Sequence, residues 1–252
     1  MEAPTEGDRQ ANLPQEFAQA PVVLVTGAGR GIGRAIALRF ASAGATVILG
    51  ARSRSQIEES ARACEAAGGR GIPVTMDVTD RASVDTALAE GLAQTGGRLD
   101  VLVNNAGVFA VVPFRELTFA TWNRLFAANL DGVFHVTQAA LPALERGQRA
   151  HVLNIASVAA REPFEGSSAY CATKYGLRGL TDVLRLEFEP LGIRVSCVYP
   201  DATDTTIFDD TPLELDRSTM DQPEDVAEVV FQAWMAPASA DVADVEMPTS
   251  DS

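Results

Sequence analysis

Lysine is all but absent from these 252 residues, where Lys174 stands alone against 19 arginines. Cysteine is scarce too. Cys64, Cys171 and Cys197 show neither a CxxC pair nor the Cys/His spacing of a metal site, so no metal is expected and the three read as reduced thiols of a cytoplasmic protein. The two histidines, His135 in a helical run and His151 at a strand start, are expected to serve packing or capping. No apolar run approaches the roughly 18 residues of a membrane helix. The acidic stretch 1–20 has neither a basic start nor an apolar centre, so a flexible extension is expected there rather than a signal peptide. Positive charge is missing where polyanions would need it. The formal net charge is −14, and residues 201–252 hold 14 acids against Arg217 alone. That balance speaks against nucleic acid and anionic membranes as partners. Repeats and low-complexity linkers are lacking as well, so 21–252 is expected to be one domain.

What the chain does have is a regular alternation. Short, β-branched apolar runs at 22–27, 46–51, 71–78, 99–107, 150–157 and 193–200 read as strands, with 241–247 as a seventh. They are apolar nearly throughout, as strands buried on both faces must be. Helical patterns separate them, among them 31–44 with Gly44 at its end, 53–68 with Ser53 or Ser55 as cap, and 222–237 with a proline in its first turn. Alternation of this kind builds right-handed βαβ units, hence a single-domain α/β fold: a Rossmann-type, doubly wound parallel sheet of about seven strands with helices on both faces. Ligands of such sheets collect beyond the carboxyl ends of the strands.

The turn TGAGRGIG, 26–33, follows the first strand and opens the first helix. Glycines at 27, 31 and 33 permit a tight turn, a close approach to a pyrophosphate and close helix packing, and the helix N-terminus offers amides to phosphate. Gly27, Arg30, Gly31, Ile32 and Gly33 are therefore candidate contacts of a dinucleotide. The second strand ends GARSR, with Ala51 where an NAD site commonly carries an acid, followed by Arg52 and Arg54. Arg52 and Arg54, with Arg30 in reach of the same phosphate, favour a 2′-phosphate, so NADP(H) is expected in preference to NAD(H). Asp77, with Val78, ends the third run, where its carboxylate faces an adenine amino group. NNAG at 104–107 adds Asn104, Ala106 and Gly107, where backbone must pass close to a ligand.

Tyr170 and Lys174 lie four apart and share a helix face. A free tyrosine ionises near pH 10, and a neighbouring ammonium together with an oxidised nicotinamide is expected to favour its phenolate. Lysine, a compact charge with three donors, suits that geometry better than arginine's planar fork. Ser157, 13 residues earlier at the end of the fifth strand, is placed to hold a carbonyl oxygen.

TGAGRGIG, NNAG, Ser157 and YCATK, in this order over about 21–200, resemble the short-chain dehydrogenase/reductase family in its short single-domain branch. The resemblance implies that Tyr170 is the catalytic acid/base, Lys174 its electrostatic and ribose-binding partner, and Ser157 the carbonyl-orienting donor. Asn129, in AANLDGVF, matches the residue that holds a helix bulge and a relay water. Pro200, Thr203 and Thr205 fall where the family contacts the carboxamide, and 203–221 is the substrate loop. A homodimer or homotetramer, built through 157–190 and the last helix, is also implied. Two departures stand out: Pro200-Asp201 replaces the usual Pro-Gly, and the DGG-type tail of acyl-carrier-protein ketoreductases is missing. Asp201 is able to tolerate some glycine-like backbone geometry, and it brings a carboxylate close to the nicotinamide. The expected activity is hydride transfer between nicotinamide and a secondary alcohol, ketone or aldehyde. A non-catalytic dinucleotide-binding regulator and an NAD-dependent alcohol dehydrogenase of the same family are the alternatives. Phe109, Phe114, Phe164, Ile207 and Phe208 suggest an apolar substrate pocket, with Arg115 and Arg161 available to an anionic group.

Overall fold

A computed structural model describes residues 19–248 apart from 210, 212, 214, 238, 239 and 241; all but the last two residues of the expected N-terminal extension lie outside it. Seven strands follow in chain order: β1 (Val22–Thr26), β2 (Thr46–Ala51), β3 (Arg70–Thr75), β4 (Val101–Asn104), β5 (His151–Ile155), β6 (Arg194–Tyr199) and β7 (Asp244–Glu246). Between them run α1 (Gly31–Ser42), α2 (Arg54–Ala66), α3 (Arg81–Leu92), α4 (Phe119–Phe126), α5 (Gly132–Leu144), α6 (Ser168–Phe188) and α7 (Pro223–Met235).

Apolar side chains on both faces of the strands dictate the layers. Val23, Val25, Val47, Leu49, Val101 and Leu153 pack one way, against α1, α2 and α7. Leu24, Ile48, Leu102 and Val152 pack the other way, against α3 and α5, and α6 covers the β6 end of that same face. The sheet is parallel throughout in the order β3-β2-β1-β4-β5-β6-β7. It is the doubly wound α/β architecture expected of the sequence. The order reverses between β1 and β4, and the crevice at their carboxyl ends is where such a sheet binds ligands. Phe40 of α1 meets Phe231 and Trp234 of α7 at ring separations of 5.2 and 5.3 Å, which locks the first and last helices together.

All the strands but β2 are shorter than their apolar runs. After β3 the Asp77 carboxylate takes the amide and hydroxyl of Thr79, turning the chain out of the sheet. After β4 the Thr26 hydroxyl takes the amides of Asn105 and Ala106, both at 3.0 Å, in place of ladder partners. Gly44 is left-handed (φ 85°) just past α1, as expected of a helix end, and Pro223 opens α7. Ser53 occupies the cap position of α2 without a capping bond and faces Ser55 instead.

Candidate active site

The glycine turn shapes a cavity of about 460 Å³ at the crevice. Gly27 is left-handed (φ 69°), and a Cβ there would stand 2.9 Å from Asn105 Nδ2. A Cβ on Gly33 would come within 2.4 Å of the Gly27 carbonyl, so this glycine lies beneath the cavity and lets α1 touch the strand ends. The first turn of α1 has no acid and no capping side chain, which leaves its amides and the positive end of the helix dipole to an anion. Gly27, Arg30, Gly31, Ile32, Arg52 and Asp77 line the cavity, as do Val78, Ala106 and Gly107. Arg30 and Arg52 are exposed and make no ion pair among the described residues. Arg54 is turned away, committed to Glu58 at 2.7 Å and to the Pro73 carbonyl. An uncapped helix N-terminus, two free guanidiniums and a carboxylate-free strand end suit a dinucleotide phosphate chain.

Asn104 does not join this cavity. Strand alternation turns it into the sheet, 3% exposed, where its amide donates to Thr137 at 2.9 Å and to Asn154 at 2.8 Å; Asn154 in turn donates to Thr181. Asn105, one residue on, faces the crevice and braces the turn by donating to the Thr26 carbonyl. Every residue of β4 is buried, so the run carries no alternation that could have picked it out.

A second cavity, of about 400 Å³, opens off the first and shares Ile32, Asn105, Gly107, Val108, Thr205 and Ile207 with it. Ser157, Tyr170 and Lys174 stand together on its wall with Pro200 and Thr203. Ser157 accepts the Ala159 amide at 3.1 Å and turns its own hydrogen toward the Tyr170 phenol, where a carbonyl oxygen would compete for it. Tyr170 is 9% exposed, and Phe109 meets its ring edge-on at 4.7 Å. Lys174 Nζ donates to the Ile155 carbonyl at 2.9 Å and sits 5.7 Å from the centre of the Tyr170 ring. Burial pushes the Tyr170 phenol up to about 12, only partly opposed by a hydrogen bond with Ser157. Burial likewise lowers Lys174 to about 8. The expected phenolate is therefore not favoured by these side chains alone. Lys174 spends a donor on Ile155, and desolvation is the largest influence on the phenol.

Asn129 lies in a π-helical turn, Ala127–Asp131, that joins α4 to α5. It accepts the Val108 amide at 2.8 Å, donates to the Val108 carbonyl at 2.9 Å, and donates to Thr173, whose hydroxyl donates to the Tyr170 carbonyl. It thus fastens the loop after β4 to the helix of Tyr170 and lines neither cavity. Thr173, which joins it to Tyr170, was hidden between the tyrosine and the lysine of the motif. Asp201 is not left-handed: Arg149 is the only non-glycine with positive φ among the described residues. Its carboxylate caps the Ala202 amide, an ordinary local bond that needs no glycine. Of the expected substrate residues, Phe109, Phe164, Ile207 and Phe208 line the second cavity, whereas Phe114 is 79% exposed outside it. Arg115 also lies outside it, on the exposed turn Phe114–Glu116. Arg161 pairs with Asp244 and Glu246 while stacking over Tyr199, so it is spent on β7.

Residues 21–215 match the family model described as short chain dehydrogenase. The chain is 36% identical over 237 residues to a sepiapterin reductase of Chlorobaculum tepidum, covering 91% of this chain and 96% of the relative. Its fold matches an alcohol dehydrogenase of Thermococcus sibiricus complexed with 5-hydroxy-NADP, with a TM-score of 0.83 and 27% identity over 90% of this chain and 96% of that one. It also matches a 3-ketoacyl-(acyl-carrier-protein) reductase of Brucella melitensis complexed with NADH, with a TM-score of 0.81 and 27% identity over the same shares. Glycine turn, parallel sheet and a Ser-Tyr-Lys wall meeting at the switch point agree with those matches: the chain belongs to the short-chain dehydrogenase/reductase family and is an NAD(P)-dependent oxidoreductase.

Proposed function

We propose that this enzyme interconverts an apolar ketone or aldehyde with its alcohol, using NADP(H) in preference to NAD(H). The observation that carries the reading is the junction of the two cavities, with Ser157, Tyr170 and Lys174 on the wall of the apolar one. Gly27, Gly31, Ile32, Asp77, Val78, Ala106 and Gly107 hold the dinucleotide, and Arg30 and Arg52 face its 2′-phosphate. The bound nicotinamide supplies or accepts the hydride at the substrate carbon. Ser157 donates its hydrogen to the carbonyl oxygen, and Tyr170 gives that oxygen a proton in reduction and removes it in oxidation. Lys174 serves the ribose hydroxyls and holds positive charge beside the phenol, while Asn129 keeps the tyrosine helix in register for the proton relay. Pro200, Thr203 and Thr205 face the carboxamide. A cytoplasmic location agrees with three buried, unpaired thiols.

The test is NADPH consumption over a panel of aryl and alkyl ketones and aldehydes, with Tyr170→Phe beside the native chain. The variant is expected to bind NADPH as before and to lose turnover by roughly two to four orders of magnitude. Retained turnover would sink the mechanism, and an NADH dissociation constant equal to or below that of NADPH would overturn the cofactor preference alone.

A further inference from the structure

Only two charged side chains line the apolar cavity among the described residues, Lys174 and Asp201. Lys174 is buried against Tyr170 with its ammonium on the Ile155 carbonyl. Asp201 stands exposed at the rim, one carboxylate oxygen on its neighbour's amide at 2.7 Å and the other without a partner among the described residues. Nearby cations are already neutralised. Arg161 is taken by Asp244 and Glu246, and Arg217 by Asp204 and Asp209. Asp221 stands close by and adds a second acid: burial, and then the charges of Asp201 and Asp225, push its carboxyl up.

The rest of the wall is aromatic. Phe109 lies 5.2 Å from Phe208 and 6.4 Å from Phe164, besides its contact with Tyr170. Rings so disposed hold an aryl group edge-on or present faces to a cation. The Val158 amide donates to the Pro200 carbonyl at 3.0 Å, which brings Asp201 across from the turn that begins at Ser157. A group on Asp201 is therefore a few bonds from an oxygen on Ser157. An anionic substrate finds no free cation at this rim among the described residues, and a neutral one leaves the carboxylate idle.

Resting on the carbonyl reading above, we propose that the substrate is an aryl or similarly bulky ketone or alcohol bearing a protonated amine, with Asp201 as its counter-ion and the Phe109 cluster around its body. The probes are a phenyl ketone with a tertiary amine on its alkyl arm and its isostere with carbon in place of that nitrogen. Binding to NADP-loaded enzyme is read by calorimetry, and turnover by NADPH consumption at neutral pH. The native chain is expected to bind and turn over the amine about tenfold better than the isostere. Taken within each protein, that ratio should collapse in Asp201→Asn and persist in Asp201→Glu. A native ratio near one, a ratio that survives Asp201→Asn, or binding of neither ketone overturns the proposal. Turnover of the neutral isostere with no preference for the amine would leave the oxidoreductase reading standing alone. Binding of the amine with no turnover of any carbonyl would do the reverse.

Discussion

At the scale of single residues, protonation decides the direction of the chemistry. With its phenol pushed up to about 12, Tyr170 is an acid at neutral pH and is ready to protonate an alkoxide. Lys174, lowered to about 8 by burial, loses its charge as pH rises through that value. Ketone reduction is therefore expected to decline above about pH 8, and Lys174→Arg, which stays charged, should move this limb to higher pH while weakening both cofactor binding and turnover. A pH profile of kcat/KM checks this, and an unshifted limb with native activity would count against it. Stability follows the same linkage. The unfolded chain holds its lysine proton up to about 10.5, so this group penalises the fold fully below about 8 and releases that penalty as pH rises from 8 to 10.5. The lone lysine was legible in the sequence because YxxxK spacing and composition both point to it. Its hydrogen bond to Ile155 was not, because that carbonyl reaches it from a strand 19 residues away.

Among elements, the π-helical turn at Ala127–Asp131 has the most to explain. In AANLDGVF only the family resemblance points to the bulge, and tertiary bonding shows why the turn widens: Asn129 must reach both backbone groups of Val108. Asn129→Ala removes the partner of that half-buried amide and carbonyl, at about 1–3 kcal/mol. Urea unfolding should show the unfolding free energy falling by that amount, and turnover should drop more than NADPH affinity as Tyr170 loses its brace. Unchanged stability would refute the fastening role. Strand and helix order, the glycine turn and the helix pair of Tyr170 and Lys174 were all readable from periodicity. Misreading Asn104 for Asn105 shows the limit. Apolar runs buried on both faces carry no alternation of their own, so they hide which way the last strand residue turns.

For the whole molecule, the exposed apolar side chains of α6 bear on association. Tyr175, Val183 and Leu186 of α6 are 42%, 50% and 72% exposed and fall along one stripe, with Gly179 open beside them. By contrast α7 spends its apolar face inside the chain, on α1. Association of like chains is accordingly expected to use α6. Light scattering should give a mass of two or four chains, and Leu186→Glu should reduce it; a monomeric native protein would overturn the expectation. The shared rim of the two cavities has a consequence for energetics. Thr205 and Ile207 border both, so any shift of their segment made for one ligand is felt by the other. Affinity for cofactor and affinity for substrate are thereby joined by a single coupling free energy, and each must change the other's dissociation constant by the same factor.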